Sequence, residues 1–305
     1  RQIKDQEYAG FVKHRMHAIG RRSRKTGRSW INGRHRMQIG NKIFDTAKHT
    51  AIMAILNVTP DSFSDGGSYK SMDDVRHRVQ QMIKEGAEII DIGGESTRPG
   101  HVQISDDEEI ARVVPVVECL KREFDIPLSV DTYKSAVAKE AIGAGCDLIN
   151  DIWGLQWDSK MAGLISESGV ACCLMHNRKE ADYQDFLLDC MQDMKKIIQT
   201  AKQAGIADDK IILDPGVGFG KTLEQNLLVM KNLERFNDFG YPVLLGTSRK
   251  SMIGLTLDLP VDQRVEGTLV TSVWAVQAHN GFVRVHDVAA NYRAIRMAEA
   301  IRDVR

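Results

Sequence analysis

Eight short apolar runs, each followed by a longer segment with helical periodicity, follow one another from Ile52 to Arg302 and constrain the fold more than any other feature. The runs are Ile52 to Leu56, Glu88 to Ile92, Leu128 to Val130, Asp147 to Ile149, Val170 to Met175, Lys210 to Leu213, Pro242 to Leu245 and Phe282 to Val285. The spacing predicts helices over 72–85, 106–124, 135–144, 159–168, 183–204, 223–236, 261–279 and 288–302. Short buried strands joined by helices build a parallel sheet, because each crossover must return the chain to the same end. Eight units favour closure into an α/β (β/α)8 TIM barrel over an open sheet of five or six strands.

A chain of 305 residues holds one barrel of about 250 residues and an appendage. Residues 1–36 carry 11 basic and 2 acidic side chains, leaving 30 basic and 39 acidic in 37–305. A basic head of this kind reads as a nucleic-acid arm, a transit peptide or a tag. Because Met37 opens a compact hairpin pattern over 37–44, the head is expected to be a disordered extension or an upstream artefact, and 37–305 to form one domain. No stretch of eighteen apolar residues is present, so neither a membrane span nor export is expected, and the default setting is cytoplasmic. The five cysteines lack C-x-x-C spacing and sit in apolar contexts, which predicts reduced core thiols.

Barrel enzymes carry their chemistry at the C-terminal ends of the strands. Here those ends carry Asn57, Asp91 with Glu95 to Arg98, Asp131, Asn150 with Asp151, His176 with Asn177, Asp214, Ser248 to Lys250, and Arg284 with His286. Asp151, Asn177 and Asp287 read better as caps or loop braces. Asp131, Asn150 and Asp214 together offer several acceptors and an amide donor, a match for a flat heterocycle with an amino-pyrimidine edge. Lys250 would reach a ring carbonyl or nitrogen, and Arg284 and His286, two apart on one strand, would share a face and hold phosphate. Asn57 is the kind of neutral oxygen that Mg²⁺ accepts when a diphosphate and water supply most of its ligands.

The stretch Ile211 to Thr222 delivers Asp214 into a glycine-rich turn. Its Gly220-Lys221-Thr222 ends like a phosphate loop, but the opening glycine of that motif would fall on Pro215, so the phosphate-loop reading is weak. The glycines are expected instead to bring backbone close to a flat ligand. Two further loops, 58–69 and 93–102, are rich in glycine and serine and are expected to close over the mouth.

Seven segments resemble the dihydropteroate synthase family, the folate-pathway enzymes that sulfonamides target: 56–67, Asp91 to Gly100, Ser129 to Thr132, Ile149 to Asp151, Asp214 to Lys221, Gly246 to Ser251 and Arg284 to Asp287. The resemblance spans 37–305. It implies condensation of 6-hydroxymethyl-7,8-dihydropterin diphosphate with 4-aminobenzoate by a Mg²⁺-dependent transferase. Asp131, Asn150, Asp214 and Lys250 would hold the pterin. Asn57, Thr97, Arg98, Arg284 and His286 would hold the diphosphate, and Phe63, Pro99, Phe219 and Ser251 would line the aminobenzoate site. Asp131, Lys250 and Arg98 would carry the catalysis. The resemblance also implies a homodimer that acts on small molecules, with neither nucleic acid nor membrane as a partner. The alternatives are a pterin-binding methyltransferase acting with a corrinoid protein, which has no use for Arg284, His286 or the two lids, and a paralogue that binds a pterin without turnover.

Overall fold

The structure, a computed structural model, describes residues 36–58, 71–96 and 102–304. An antiparallel hairpin, β1 (Arg36–Ile39) and β2 (Lys42–Asp45), precedes eight parallel strands. These are β3 (Ala51–Asn57), β4 (Ile89–Gly93), β5 (Leu128–Asp131), β6 (Leu148–Asp151), β7 (Ala171–Met175), β8 (Ile211–Asp214), β9 (Leu244–Leu245) and β10 (Phe282–Val285). Neighbours pair in the order β8-β7-β6-β5-β4-β3-β10-β9, and a parallel bridge between Leu213 and Val243 joins the two ends into a barrel.

Period-2 alternation along the strands sorts side chains into two cores. Ile52, Ala54, Leu56, Ile90, Ile92, Leu128, Val130, Cys172, Leu174, Val283 and Val285 face the helices and pack with their apolar stripes. Ala51, Met53, Ile89, Leu148, Ala171, Cys173, Ile212, Leu244 and Phe282 fill the barrel interior, together with Met37, Ile39 and Phe44 of the hairpin. The Phe44 and Phe282 rings lie 5.6 Å apart, so the hairpin is a floor that belongs to the interior core. One step further along the same inward-facing rows stand Asp91, Asp131, Asn150, Asp214 and Arg284.

Some helices begin and end where the local chemistry dictates. Ser71 accepts from the Asp74 N–H to start the helix Met72–Glu85, and Gly86, at φ 108°, ends it in the left-handed region. Thr222 and Gln225 form a reciprocal capping box at the start of Leu223–Lys231. That helix stops five residues before the expected end, and a 3₁₀ segment, Leu233–Phe239, completes the stretch. The helix expected over 261–279 spans Val265–Gln277, and a separate helix, Ser251–Leu257, precedes it without having been expected. All five cysteines are buried and free. No described helix is long and apolar enough to cross a membrane.

Candidate active site at the barrel mouth

Strand register brings the polar row together. Gly93 of β4, Asp131 of β5 and Asn150 of β6 are successive partners at one level, and Met175 of β7 pairs with Asp214 of β8. Arg284 of β10 reaches across the interior: its Nε donates to Asp91 Oδ2 at 2.5 Å and its Nη2 to Asp131 Oδ2 at 2.6 Å. Asp91 is fully buried and also accepts from Ser129 Oγ at 2.5 Å and Asn150 Nδ2 at 3.3 Å. The Oδ1 of Asp131 is buried with no protein partner. A buried acceptor left open costs free energy unless a ligand completes it, so this atom marks where a donor belongs.

Asp214 uses Oδ1 to accept from the Gly216 N–H at 2.7 Å. A Cβ built on Gly246 would lie 3.6 Å from Asp214 Oδ2, 3.8 Å from Lys250 Nζ and 4.0 Å from Arg284 Cβ, so the three side chains surround one glycine that leaves them room. Lys250 Nζ donates to the Val217 carbonyl at 2.5 Å and stands 4.6 Å over the Phe219 ring. Tyr133, Ile152 and Met175, with Trp153 and Phe219 against them, form an apolar platform beside these charges. A flat apolar surface edged by acceptors and one ammonium suits a planar heterocycle.

Three acids and two cations share this buried space, one proton short of balance. Burial pushes Asp131 up to about 7, against the pull of Arg284 and with the push of Asp91. Burial also raises Asp214 above the usual carboxylate range, with Lys250 opposing. Loss of solvent lowers Lys250 to about 8, and Asp214 works against that fall. Such shifts gather where a site must hold charge or exchange protons near neutral pH.

His286 Nδ1 lies 2.9 Å from Ser248 Oγ, which accepts from the His286 N–H at 3.1 Å. Asn57 is the exposed last residue of β3. A Cβ on Gly93 would come within 3.4 Å of its Oδ1, so glycine there keeps space beside the amide oxygen. Among the described residues no three His, Cys, Asp or Glu cluster as a metal cage. A single hard, neutral oxygen beside open space fits a cation that arrives with most of its own ligands, the Mg²⁺ habit. Ser251 is exposed as the first residue of its short helix. Phe63, Thr97, Arg98 and Pro99 lie outside the described residues, as do 59–69 of the first loop expected to close over the mouth and 97–101 of the second.

Several expectations change in the details. Arg284, expected to hold phosphate, is bonded here to Asp91 and Asp131, because a guanidinium in a dry barrel pairs with the carboxylates within reach. The glycines of 216–220 approach protein rather than open space: a Cβ on Gly216 would sit 1.9 Å from the His176 carbonyl oxygen, and one on Gly220 2.3 Å from that of Arg178. Asp91 had no assigned role, although its inward register was readable from Ile89. Met175 was equally readable, two steps beyond Cys173. Asp151 accepts from the Trp153 and Leu155 N–H groups, Asn177 donates to the Ile152 carbonyl, and Asp287 pairs with Arg249, so all three brace loops. His176 is fully buried against the Tyr183 ring, and burial pushes it down to about 4, so it is neutral at pH 7.

With this geometry in place, comparison with known proteins is informative. The family model for pterin binding enzymes matches residues 53–286. A dihydropteroate synthase of Clostridium beijerinckii is 55% identical over 266 residues, which cover 87% of this chain and 99% of that protein. The crystal structure of a Clostridium difficile dihydropteroate synthase in the presence of pteroic acid superposes with a TM-score of 0.82 at 49% identity, covering 85% of this chain and 98% of the other. A Xanthomonas albilineans dihydropteroate synthase with 4-aminobenzoic acid gives 0.84 at 37% identity, covering 90% and 100%.

Proposed function

The chain belongs to the pterin-binding enzymes, in the dihydropteroate synthase family, and from that premise we propose how its own residues divide the work. The reaction condenses 6-hydroxymethyl-7,8-dihydropterin diphosphate with 4-aminobenzoate to give 7,8-dihydropteroate and diphosphate. The relatives described above are all synthases, and the methyltransferase reading gains nothing from them.

The open Oδ1 of Asp131, buried on a carboxylate whose other oxygen Arg284 holds, is the observation that carries the assignment. Asp214 and Asn150 meet the amino-pyrimidine edge of the pterin, and Lys250 meets a ring carbonyl or nitrogen. Asp131 completes its vacant acceptor with a ring N–H. When the C–O bond breaks, the electron pair leaves with the diphosphate and positive charge spreads into the pterin. Asp131 stands where that charge develops, and an acid already placed in a dry site needs no reorganisation to stabilise it. The aminobenzoate nitrogen then forms the C–N bond and releases a proton to solvent. An aniline is a weak base, so no strong general base is required.

Arg98, Thr97, His286 and Asn57 take the diphosphate, with Arg284 between it and the ring. Phe219, Phe63, Pro99 and Ser251 line the aminobenzoate. Asn57 would hold Mg²⁺, which when bound would supply charge stabilisation for the departing diphosphate. Catalysis resides in 37–305, in a cytoplasmic setting that suits five free thiols. A homodimer is favoured by two i,i+4 pairs of exposed apolar residues on packed helices, Val270 with Trp274 and Met297 with Ile301.

The test mixes purified protein with the pterin diphosphate, Mg²⁺ and 4-aminobenzoate and measures diphosphate. Release that requires all the components is expected. Pterin binding without release would leave the binding-only paralogue.

A further inference from the structure

Lys221 belongs to the tripeptide that imitates the end of a phosphate loop, yet its ammonium is already spoken for. Nζ lies 2.9 Å from the Gly216 carbonyl oxygen, 3.0 Å from that of Phe219 and 3.3 Å from that of His176. An ammonium has three N–H donors and here meets three carbonyl acceptors, so it has no donor to spare for a phosphate.

Two of those carbonyls belong to the 216–220 turn and the third to the residue after β7. The turn is therefore tied across the gap between β7 and β8 by one buried amine: burial pulls it down to about 7, and three carbonyl acceptors favour its charged, three-donor form. Other contacts fix the same turn. Asn226 Oδ1 accepts from the Gly218 N–H at 2.6 Å, and Tyr183 donates its hydroxyl to the Gly220 carbonyl at 2.9 Å. Gly216 and Gly220, at φ 72° and 52°, press against the His176 and Arg178 carbonyls without room for a side chain. Buried carbonyls turned toward one another repel, and a cation among them makes such a convergence stable.

The other edge of the turn faces the site. Its Val217 carbonyl accepts from Lys250, and its Phe219 ring lies beneath that ammonium. One lysine holds the turn from within while the other rests on it. We propose that Lys221 is a positioning residue: by gathering the Gly216, Phe219 and His176 carbonyls it sets the turn on which Lys250 is seated beside Asp214, and so governs pterin affinity without touching pterin. This rests on the assignment of Lys250 and Asp214 to the pterin.

The test compares Lys221→Met, similar in length without donors, with Lys221→Arg, which keeps the charge and donors. Calorimetry with a pterin lacking the diphosphate gives Kd and stoichiometry, and kinetics give KM for the pterin diphosphate. Misplacing the seat of Lys250 should weaken pterin about 10- to 100-fold at unchanged stoichiometry in Lys221→Met, with partial recovery in Lys221→Arg. A fall in melting temperature and stoichiometry with wild-type Kd would make Lys221 a fold residue and overturn the proposal. If Lys221→Met does not fold, Asn226→Ala releases the turn at Gly218 instead. The same loss of affinity there supports the proposal, and wild-type affinity overturns it. The wild type and Lys250→Ala are the controls: no pterin binding by the wild type would sink the functional assignment itself, a result distinct from equal binding by wild type and variants.

Discussion

Arg284 Nη2 and Asp131 Oδ2 share a hydrogen bond of 2.6 Å, which ties a residue expected at the leaving group to one expected at the ring. The sequence separates them by 153 positions, and the barrel closes that gap because both stand on inward-facing rows. Through Nε the same guanidinium also holds Asp91, so one cation organises two buried carboxylates.

Arg284→Ala should therefore lower stability as well as turnover. Removing one partner of a buried pair costs about 3 to 5 kcal/mol, since the remaining charge is uncompensated. Asp131 already rests near 7, pushed up by burial, and without Arg284 it is driven higher still. Below about 7 both folded proteins keep this proton and their pH slopes match, so the deficit should grow as pH rises from about 7 to about 9, where the wild type ionises Asp131 and the variant resists it. Urea melts of wild type and variant across that range measure the slope, and a deficit independent of pH would contradict it.

Asp214→Asn keeps the shape of the side chain but removes the charge that faces Lys250. Pterin affinity should fall by about 2 to 4 kcal/mol, the cost of an amino edge left without its acceptor in a dry site. Calorimetric titration checks this, and unchanged affinity would remove Asp214 from the pterin.

Far from the mouth, His49 places Nε2 2.6 Å from Glu88 and Nδ1 2.9 Å from Glu299. Carboxylates only accept, so both ring nitrogens must carry protons for both bonds to form. The Glu88 hydrogen bond, against burial, raises His49 above its ordinary 6.5. A raised folded-state pKa means that the stabilisation is complete below 6.5 and is lost as pH climbs through the raised value. His49→Gln should accordingly cost about 1 to 2 kcal/mol near pH 6 and less near pH 9, measured by denaturant melts at the two values.

Two glycine replacements should move stability in opposite directions. Gly216→Ala would drive a methyl to 1.9 Å from the His176 carbonyl oxygen at a positive φ, and should cost about 2 to 4 kcal/mol. Gly163, exposed in the helix Met161–Ser168 with nothing within 4 Å of a new Cβ, should gain about 0.5 to 1 kcal/mol as alanine. Thermal melts of both variants decide it.

The alternation of strands and helices was legible because each element repeats its own period: Met72–Glu85 and Phe282–Val285 fall where periodicity puts them. The helix Ser251–Leu257 was not, and the reason is local. Its sequence, SMIGLTL, carries a central glycine and two β-branched residues, a poor helix former by propensity. Gly254 is there because a Cβ would meet the Arg264 guanidinium at 2.2 Å, a tertiary demand that no local pattern announces. In the site, Asp131, Asn150, Asp214 and Lys250 were readable from their places at strand ends. What they bond to was not, since Asp91 and Arg284 lie 193 positions apart and only closure makes them neighbours. The glycine turn was read as open to ligand for the same reason: its true neighbours, the His176 and Arg178 carbonyls, come from the preceding strand unit.

The hairpin floor backs a barrel interior already filled by its own side chains, so only the polar end is left to admit a ligand. Met37, Ile39 and Phe44 pack into the same apolar layer as Phe282, Leu244 and Ile212, directly beneath the acids. Traffic through such a vessel uses one doorway, and whatever settles deepest must enter first and depart last. A molecule lodged in the upper half would then imprison the one below it instead of competing with it.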